Sequence, residues 1–300
     1  MDHLKALEVF AAIAREGSLS RAARALAISP PSVTRLLNDL EAHLGTPLLT
    51  RSTRAIRLTE TGRGYLADAE RILEALRAAD SRAQGARDTP RGTLRLTSPV
   101  LFGQQYVAPV IADYLAAFPE MRVDAAFLDR NVNLIDEGFD VAIRIGTLPD
   151  SGHRALRVGA VRLLVCASPE YLARRGTPAH PRDLADHDTI QFKGAGFVEN
   201  LWSFDDGLRV PIRPRLLMST VAACVAMAEA GLGLTQVLSY QVAAERARGS
   251  LVSVLDRHGT AAWPIHLLHN EHHGQSAKLR AFLDIAVERL RTDPRLHQPN

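Results

Sequence analysis

Apolar residues recur at steps of three and four through the first ninety positions, a spacing that predicts four helices. Leu4, Leu7, Phe10, Ala11 and Ala14 share one helical face behind Asp2, a good N-cap, and Glu16-Gly17 ends the run. Ser18 or Ser20 caps a short second helix with Ala22, Ala23, Leu26 and Ala27 inward, small residues that let helices approach closely. Ile28-Ser29 makes a tight turn. Ser29 caps the third helix, and Pro30 suits its first position, where a missing N–H costs nothing. Val33, Leu36, Leu37 and Leu40 face inward until about His43, and Gly45 follows. Thr59 caps a long fourth helix with Glu60 at its positive end. Along that helix Leu66, Ala69, Leu73, Leu76 and Ala83 form an apolar seam, expected to be a dimerisation surface. Gly85 to Gly92, containing Pro90, reads as a linker.

Beyond it, strand-like and helix-like patterns alternate. Strands are expected at Leu94–Thr97, Val123–Leu128, Asp140–Gly146, Val161–Ala167, Leu234–Val237, Val252–Leu255 and Ile265–Leu268. Helices are expected from about Val100, over Asn133–Glu137, from Thr220 to Ala230, and from Ser276 to Arg291. Such alternation gives open α/β sheets, here two with a cleft between them. The expected class is α+β multidomain: residues 1–60 a DNA-binding domain, 61–90 a linker and dimerisation helix, and 91–300 a ligand-binding domain.

Two short helices joined by a tight turn, the second starting with small polar residues, have helix-turn-helix geometry. The second would enter the DNA major groove. Its outward residues Ser29, Pro30, Pro31, Ser32, Thr34, Arg35 and Asn38 are the candidate contacts, with Arg35 able to donate in a fork to guanine O6 and N7. Two extended pieces, Pro47–Leu49 and Ile56–Leu58, flank a basic tip containing Arg51, Thr53 and Arg54 and read as a wing. Arg15, Arg21 and Arg24 read as solvated.

Charge sharpens this picture by where it sits. The net charge is +3 over 300 residues, weak evidence alone. Between Glu41 and Glu60, however, there is no carboxylate, while Arg51, Arg54 and Arg57 fall there, the footprint expected of phosphate binding. With 46% hydrophobic and 23% charged residues the chain reads as an ordinary globular protein. The start lacks the pattern of a signal peptide, no apolar run is long enough for a membrane span, and Cys166 and Cys224 make no disulfide framework. A cytoplasmic location is therefore expected.

Catalytic patterns are lacking: no Gly-rich phosphate loop, no His-Glu-x-x-His and no Gly-x-Ser-x-Gly. Cys166 and Cys224 read as core. His266, His269, His272 and His273 span a strand end and a loop without helical ligand spacing, so neither a metal nor another cofactor is expected. The cleft candidates lie where strands end and helices begin. They are Thr97, Ser98, Pro99 and Val100 at one helix start, Ser219, Thr220 and Val221 at another, and Phe127, Arg144 and Gly146 at strand ends. Ser98 and Thr220 are expected N-caps, and two helix N-termini facing one cleft suit an anionic small molecule. Arg144 could add charge there or hold the fold in a buried pair. A solute-binding module, or an enzyme with an accessory helical bundle, is the alternative reading.

The run from Phe10 through Gly17-Ser18-Leu19-Ser20-Arg21-Ala22-Ala23, Val33-Thr34-Arg35, Leu40-Glu41, Leu44-Gly45, Leu48-Leu49, Leu58-Thr59 and Thr61-Gly62 resembles the winged helix-turn-helix of LysR-type transcription regulators. Later segments are similar to the family's effector-binding domain: Val100-Leu101-Phe102-Gly103, Phe118-Pro119, Asp140 to Gly146, Ala167 to Leu172, Gly176-Thr177-Pro178 and Ala230-Gly231-Leu232-Gly233. That resemblance implies a fold like periplasmic solute-binding proteins, with lobe I at 91–163 and 265–300 and lobe II at 164–264. It also implies double-stranded DNA, a small-molecule effector and a second copy of the chain (dimer or tetramer) as partners, with RNA polymerase a further candidate. The family often has Gln, then Ser-Ala, where this chain has Pro30-Pro31-Ser32, and Ser where it has Pro99; the contacts made there do not carry over.

Overall fold

The computed structural model describes residues 2–51, 56–84, 89–130, 132–148, 153–194, 200–204, 207–259, 262–270 and 276–297. Contacts divide the chain into two units, 1–88 and 89–300.

The first unit begins with α1 (His3–Glu16), α2 (Leu19–Ala25) and α3 (Pro30–Leu44). The expected caps operate: Asp2 Oδ1 accepts from the Lys5 N–H at 3.1 Å, Ser18 Oγ from Arg21 and Ser29 Oγ from Ser32. Gly17 and Gly45 end α1 and α3 in the left-handed conformation, at φ 62° and 67°, which glycine adopts without steric cost. An antiparallel pair follows, β1 (Leu49–Arg51) and β2 (Ile56–Leu58), with Thr50 opposite Arg57. Then comes α4 (Glu60–Gln84), whose start is capped by Thr59 Oγ1, 2.8 Å from the Gly62 N–H. One apolar core joins Leu7, Phe10 and Ile13 of α1, Ala22 and Ala23 of α2, and Val33, Leu37 and Leu40 of α3.

That core also takes in Ala69 and Leu73 of α4, with Tyr65 and Leu66 packed against it. The expected seam is thus divided. Leu66, Ala69 and Leu73 serve their own domain, because this stretch of α4 lies against α1. Exposed apolar surface on the helix remains at Ile72 (49%) and Leu76 (37%), one helical step apart.

The second unit carries two five-stranded mixed sheets. The first comprises β3 (Gly92–Ser98), β4 (Met121–Phe127), β5 (Val141–Ile145), β6 (His153–Val161) and β14 (Trp263–Asn270), in the order β4-β3-β5-β14-β6. Helices α5 (Val100–Phe102) and α6 (Ala108–Ala117), joined by a π turn at Gly103–Val107, pack on it with α10 (Ala277–Thr292). The second sheet comprises β7 (Leu163–Ala167), β8 (Thr189–Phe192), β11 (Pro214–Met218), β12 (Leu234–Leu238) and β13 (Val252–Val254), in the order β11-β8-β12-β7-β13. It carries α7 (Pro169–Arg175), α8 (Val221–Glu229), α9 (Ala243–Ala247) and a hairpin of β9 (Leu201–Ser203) with β10 (Arg209–Pro211).

Several expectations change. The single strand predicted over 161–167 is two strands in different sheets. Arg162 is the crossing point, where its carbonyl accepts from the Ser239 N–H at 2.7 Å. The helix expected over Asn133–Glu137 is a hydrogen-bonded turn. Asn133 Oδ1 accepts from the Ile135 N–H at 3.0 Å, a local bond that competes with helix. Strands β6, β8, β9, β10 and β11 were not foreseen.

Candidate functional site

The surface that α3 presents follows from its periodicity. Val33, Leu37 and Leu40 are buried, which turns Pro31, Arg35, Asn38 and Asp39 outward. The start of the helix is more constrained than its polar residues suggest. Ser29 and Ser32 join their hydroxyls at 2.8 Å, and Thr34 Oγ1 donates to the Pro30 carbonyl at 3.2 Å. These three side chains therefore have partners within the helix start, while Arg35 is exposed beside them. Between α2 and α3 lies an open concavity of about 630 Å3 whose lining includes Leu19, Pro30, Pro31, Arg35, Asn38 and Asp39. Asp39, one turn beyond Arg35 on the same face, was missed in the sequence. An acidic side chain among arginines is a weak pointer to DNA, although a carboxylate can accept from cytosine N4.

The β1–β2 pair is held to α3 by a side chain that motif reading also passed over. Glu41 Oε1 accepts from the backbone N–H groups of Leu48 and Leu49 at 2.7 and 3.0 Å. Thr59 Oγ1 lies 3.0 Å from the Pro47 carbonyl on the far side. Arg57 is exposed on β2. Arg51 is placed by its backbone in β1, whereas Thr53 and Arg54 lie outside the described residues. Arg21 donates from Nε to the Glu16 carbonyl at 2.8 Å, so it closes the end of α1.

In the second unit the two expected helix starts differ. Thr220 is an N-cap, its Oγ1 accepting from the Ala223 N–H at 3.3 Å; Ser219 beside it is exposed and Val221 buried. Ser98 is not a cap. It is the last residue of β3, fully buried, and Pro99 takes the cap position. The Val100 N–H is instead taken by Asp129 Oδ1 at 3.0 Å. A carboxylate of the chain thus already stands where an anionic ligand was expected. Thr97 Oγ1, next in the strand, is buried without a hydrogen-bond partner among the described residues.

Phe127 ends β4 and is half-buried. Arg144, on β5, donates to the carbonyls of Ile143 and Val132 at 3.3 and 3.4 Å. Burial lowers its pKa, opposed by the charge of Glu137. Glu137 is itself held below the usual carboxylate range by Arg130, which donates to it at 2.8 and 2.6 Å. Arg144 therefore caps backbone carbonyls. Gly146, at φ 111°, follows β5 and donates its N–H to the Pro264 carbonyl.

Cys166 and Cys224 share one apolar cluster between the second sheet and α8. Burial pushes their thiols up to about 12 and about 11. His266 and His269 stand three apart on β14, hence on opposite faces; His272 and His273 lie outside the described residues. Among the described residues no helix is long and apolar enough to cross a membrane.

A winged helix-turn-helix followed by two mixed sheets is the architecture of a transcription regulator with a sensing domain. Residues 4–63 match the family model described as bacterial regulatory helix-turn-helix protein, lysR family, and residues 87–291 match the LysR substrate binding domain. The chain belongs to the LysR family: it is a DNA-binding transcription regulator with a two-lobed effector-binding domain, and not an enzyme. It is 33% identical to the HTH-type transcriptional regulator CrgA of Neisseria meningitidis, over 95% of this chain and 96% of that one. It is 32% identical to the transcriptional activator AaeR of Escherichia coli, over 90% and 88%. The solved structure of CrgA matches with a TM-score of 0.62, covering 95% of this chain and 98% of that one.

Proposed function

We propose that the chain reads double-stranded DNA through Arg35 and Asn38 on α3, supported by the arginines of the β1–β2 wing (Arg51, Arg54 and Arg57). Exposure of Arg35 and Asn38 beside Pro31 at the α2–α3 concavity carries this reading. Ser29, Ser32 and Thr34 shape the helix start, and Thr53 joins the wing in holding phosphates. A small-molecule effector sits between the lobes, touching Thr97, Pro99, Val100, Phe127, Gly146 and Ser219. The orphaned Thr97 hydroxyl supports a polar contact there, and the anionic group of the effector is met from the α8 side at Ser219 and Thr220, because Asp129 occupies the Val100 N–H. Two chains associate through the exposed Ile72–Leu76 face of α4, placing two recognition helices on two half-sites. Tetramer assembly, contact with RNA polymerase and a cytoplasmic location belong to the same reading.

The test is a mobility-shift titration of the full chain against its own upstream intergenic DNA, with an unrelated fragment as competitor, at two salt concentrations. Competitor-resistant binding is expected. Arg35→Ala is expected to cost about 1–3 kcal/mol and to relax the preference at one base pair. Equal loss on every sequence would instead make Arg35 a phosphate contact.

A further inference from the structure

The tip of α3 differs from an ordinary helix start in a way that bears on which base it reads. A helix usually begins with backbone N–H groups free to meet a phosphate or a base acceptor. Here Pro30 and Pro31 occupy the first two positions, and neither has an N–H. The Ser32 N–H donates to Ser29 Oγ at 3.3 Å and the Val33 N–H to the Ser29 carbonyl at 3.2 Å. No outward backbone donor remains at this end. Beside the paired hydroxyls of Ser29 and Ser32, the tip offers two exposed pyrrolidine rings at the mouth of the α2–α3 concavity, with Leu19 also in its lining.

In the major groove the base edges present donors, acceptors and one apolar group, the 5-methyl of thymine. The two proline rings carry no donor, and the methyl is the base-edge group that an apolar ring complements. We propose that Pro31, with Pro30 beside it, reads a thymine by contact with its methyl group. The next outward residues, Arg35 and Asn38, lie one and two turns further along the same face and would read neighbouring base pairs through polar edges. The proposal rests on the DNA-binding reading above and adds the chemistry of one base position.

The experiment uses the full-length protein and a duplex it selects from a randomised library. Each thymine of the selected site is replaced in turn by deoxyuridine, which removes only the methyl group, and affinity is measured by mobility shift. At one thymine in each half-site the replacement is expected to weaken binding about fourfold, the value of one buried methyl. In Pro31→Ser that thymine should lose its penalty, since the ring that met the methyl is gone, while other positions keep their preferences. Pro31→Ala serves as a second variant should the serine disturb the cap, and melting of each variant checks the fold. Insensitivity of every thymine, or a penalty that survives undiminished in both variants, would overturn the proposal. Failure to select any common site would overturn the DNA-binding reading beneath it, a result distinct from selection without methyl dependence.

Discussion

The dipeptide Ser-Pro stands before helices in both units; at Ser29 in the first and Ser98 in the second it behaves differently, while Ser168, which caps α7, follows Ser29. At Ser29-Pro30 the serine is an extended N-cap whose Oγ accepts from the Ser32 N–H. At Ser98-Pro99 the serine is locked in β3 opposite Phe127, its carbonyl accepts from the Leu128 N–H, and its Oγ donates to the adjacent Pro99 carbonyl at 3.3 Å. The helix start is capped instead from another element by Asp129. Local capping preference decides the outcome where nothing else claims the serine; sheet pairing overrides it where the same residue must complete a ladder. One start is therefore built by four consecutive residues, Ser29 to Ser32, and the other by residues 29 positions apart.

The largest effect that would probe this contrast is Gly103→Ala. A Cβ at Gly103 would come within 2.4 Å of the ring of Phe127, the last residue of the strand beside β3. Relief of that clash should cost about 2–3 kcal/mol, read as a lowered denaturation midpoint. Asp129→Ala removes the distant cap and should cost about 1–2 kcal/mol in the second unit. If it costs nothing, the non-local capping account of this helix start fails. Ser29→Ala should cost about 1 kcal/mol, confined to the first unit, and hydrogen exchange at the Ser32 amide should report the loss. Smallest is Ser98→Ala, below about 1 kcal/mol, because its hydroxyl caps nothing. A larger loss at Ser98 than at Ser29 would reverse the comparison.

The thiols provide a control on packing. With Cys166 pushed up to about 12 and Cys224 to about 11 by burial, both remain protonated at pH 8. Neither should react with an alkylating reagent in the native protein, while both should react in denaturant. Rapid native labelling would mean that the cluster between β7, β12 and α8 opens readily.

The helical first unit was legible because its information is local. Asp2, Ser18, Ser29 and Thr59 cap helices from within three residues, glycine ends two of them, and the apolar steps name the core from Leu7 to Leu40. The same locality hid what the apolar seam of α4 does. Leu66, Ala69 and Leu73 have a spacing that suits a partner helix or a neighbouring core equally, and only their contact with the α1–α3 bundle separates the two.

In the second unit the sequence by itself determined the alternation of strands and helices and the helices at Thr220 and near Ser276, since these too are set by neighbouring residues. Tertiary structure decided the rest. It split 161–167 at Arg162 between two sheets, seated Ser98 in a ladder, brought Asp129 to the Val100 N–H and turned Arg144 toward the Val132 carbonyl. The physical reason is common to all four. Each depends on a polar or strand-pairing partner remote in the chain, and periodicity records which face a residue turns inward without naming what it will meet there.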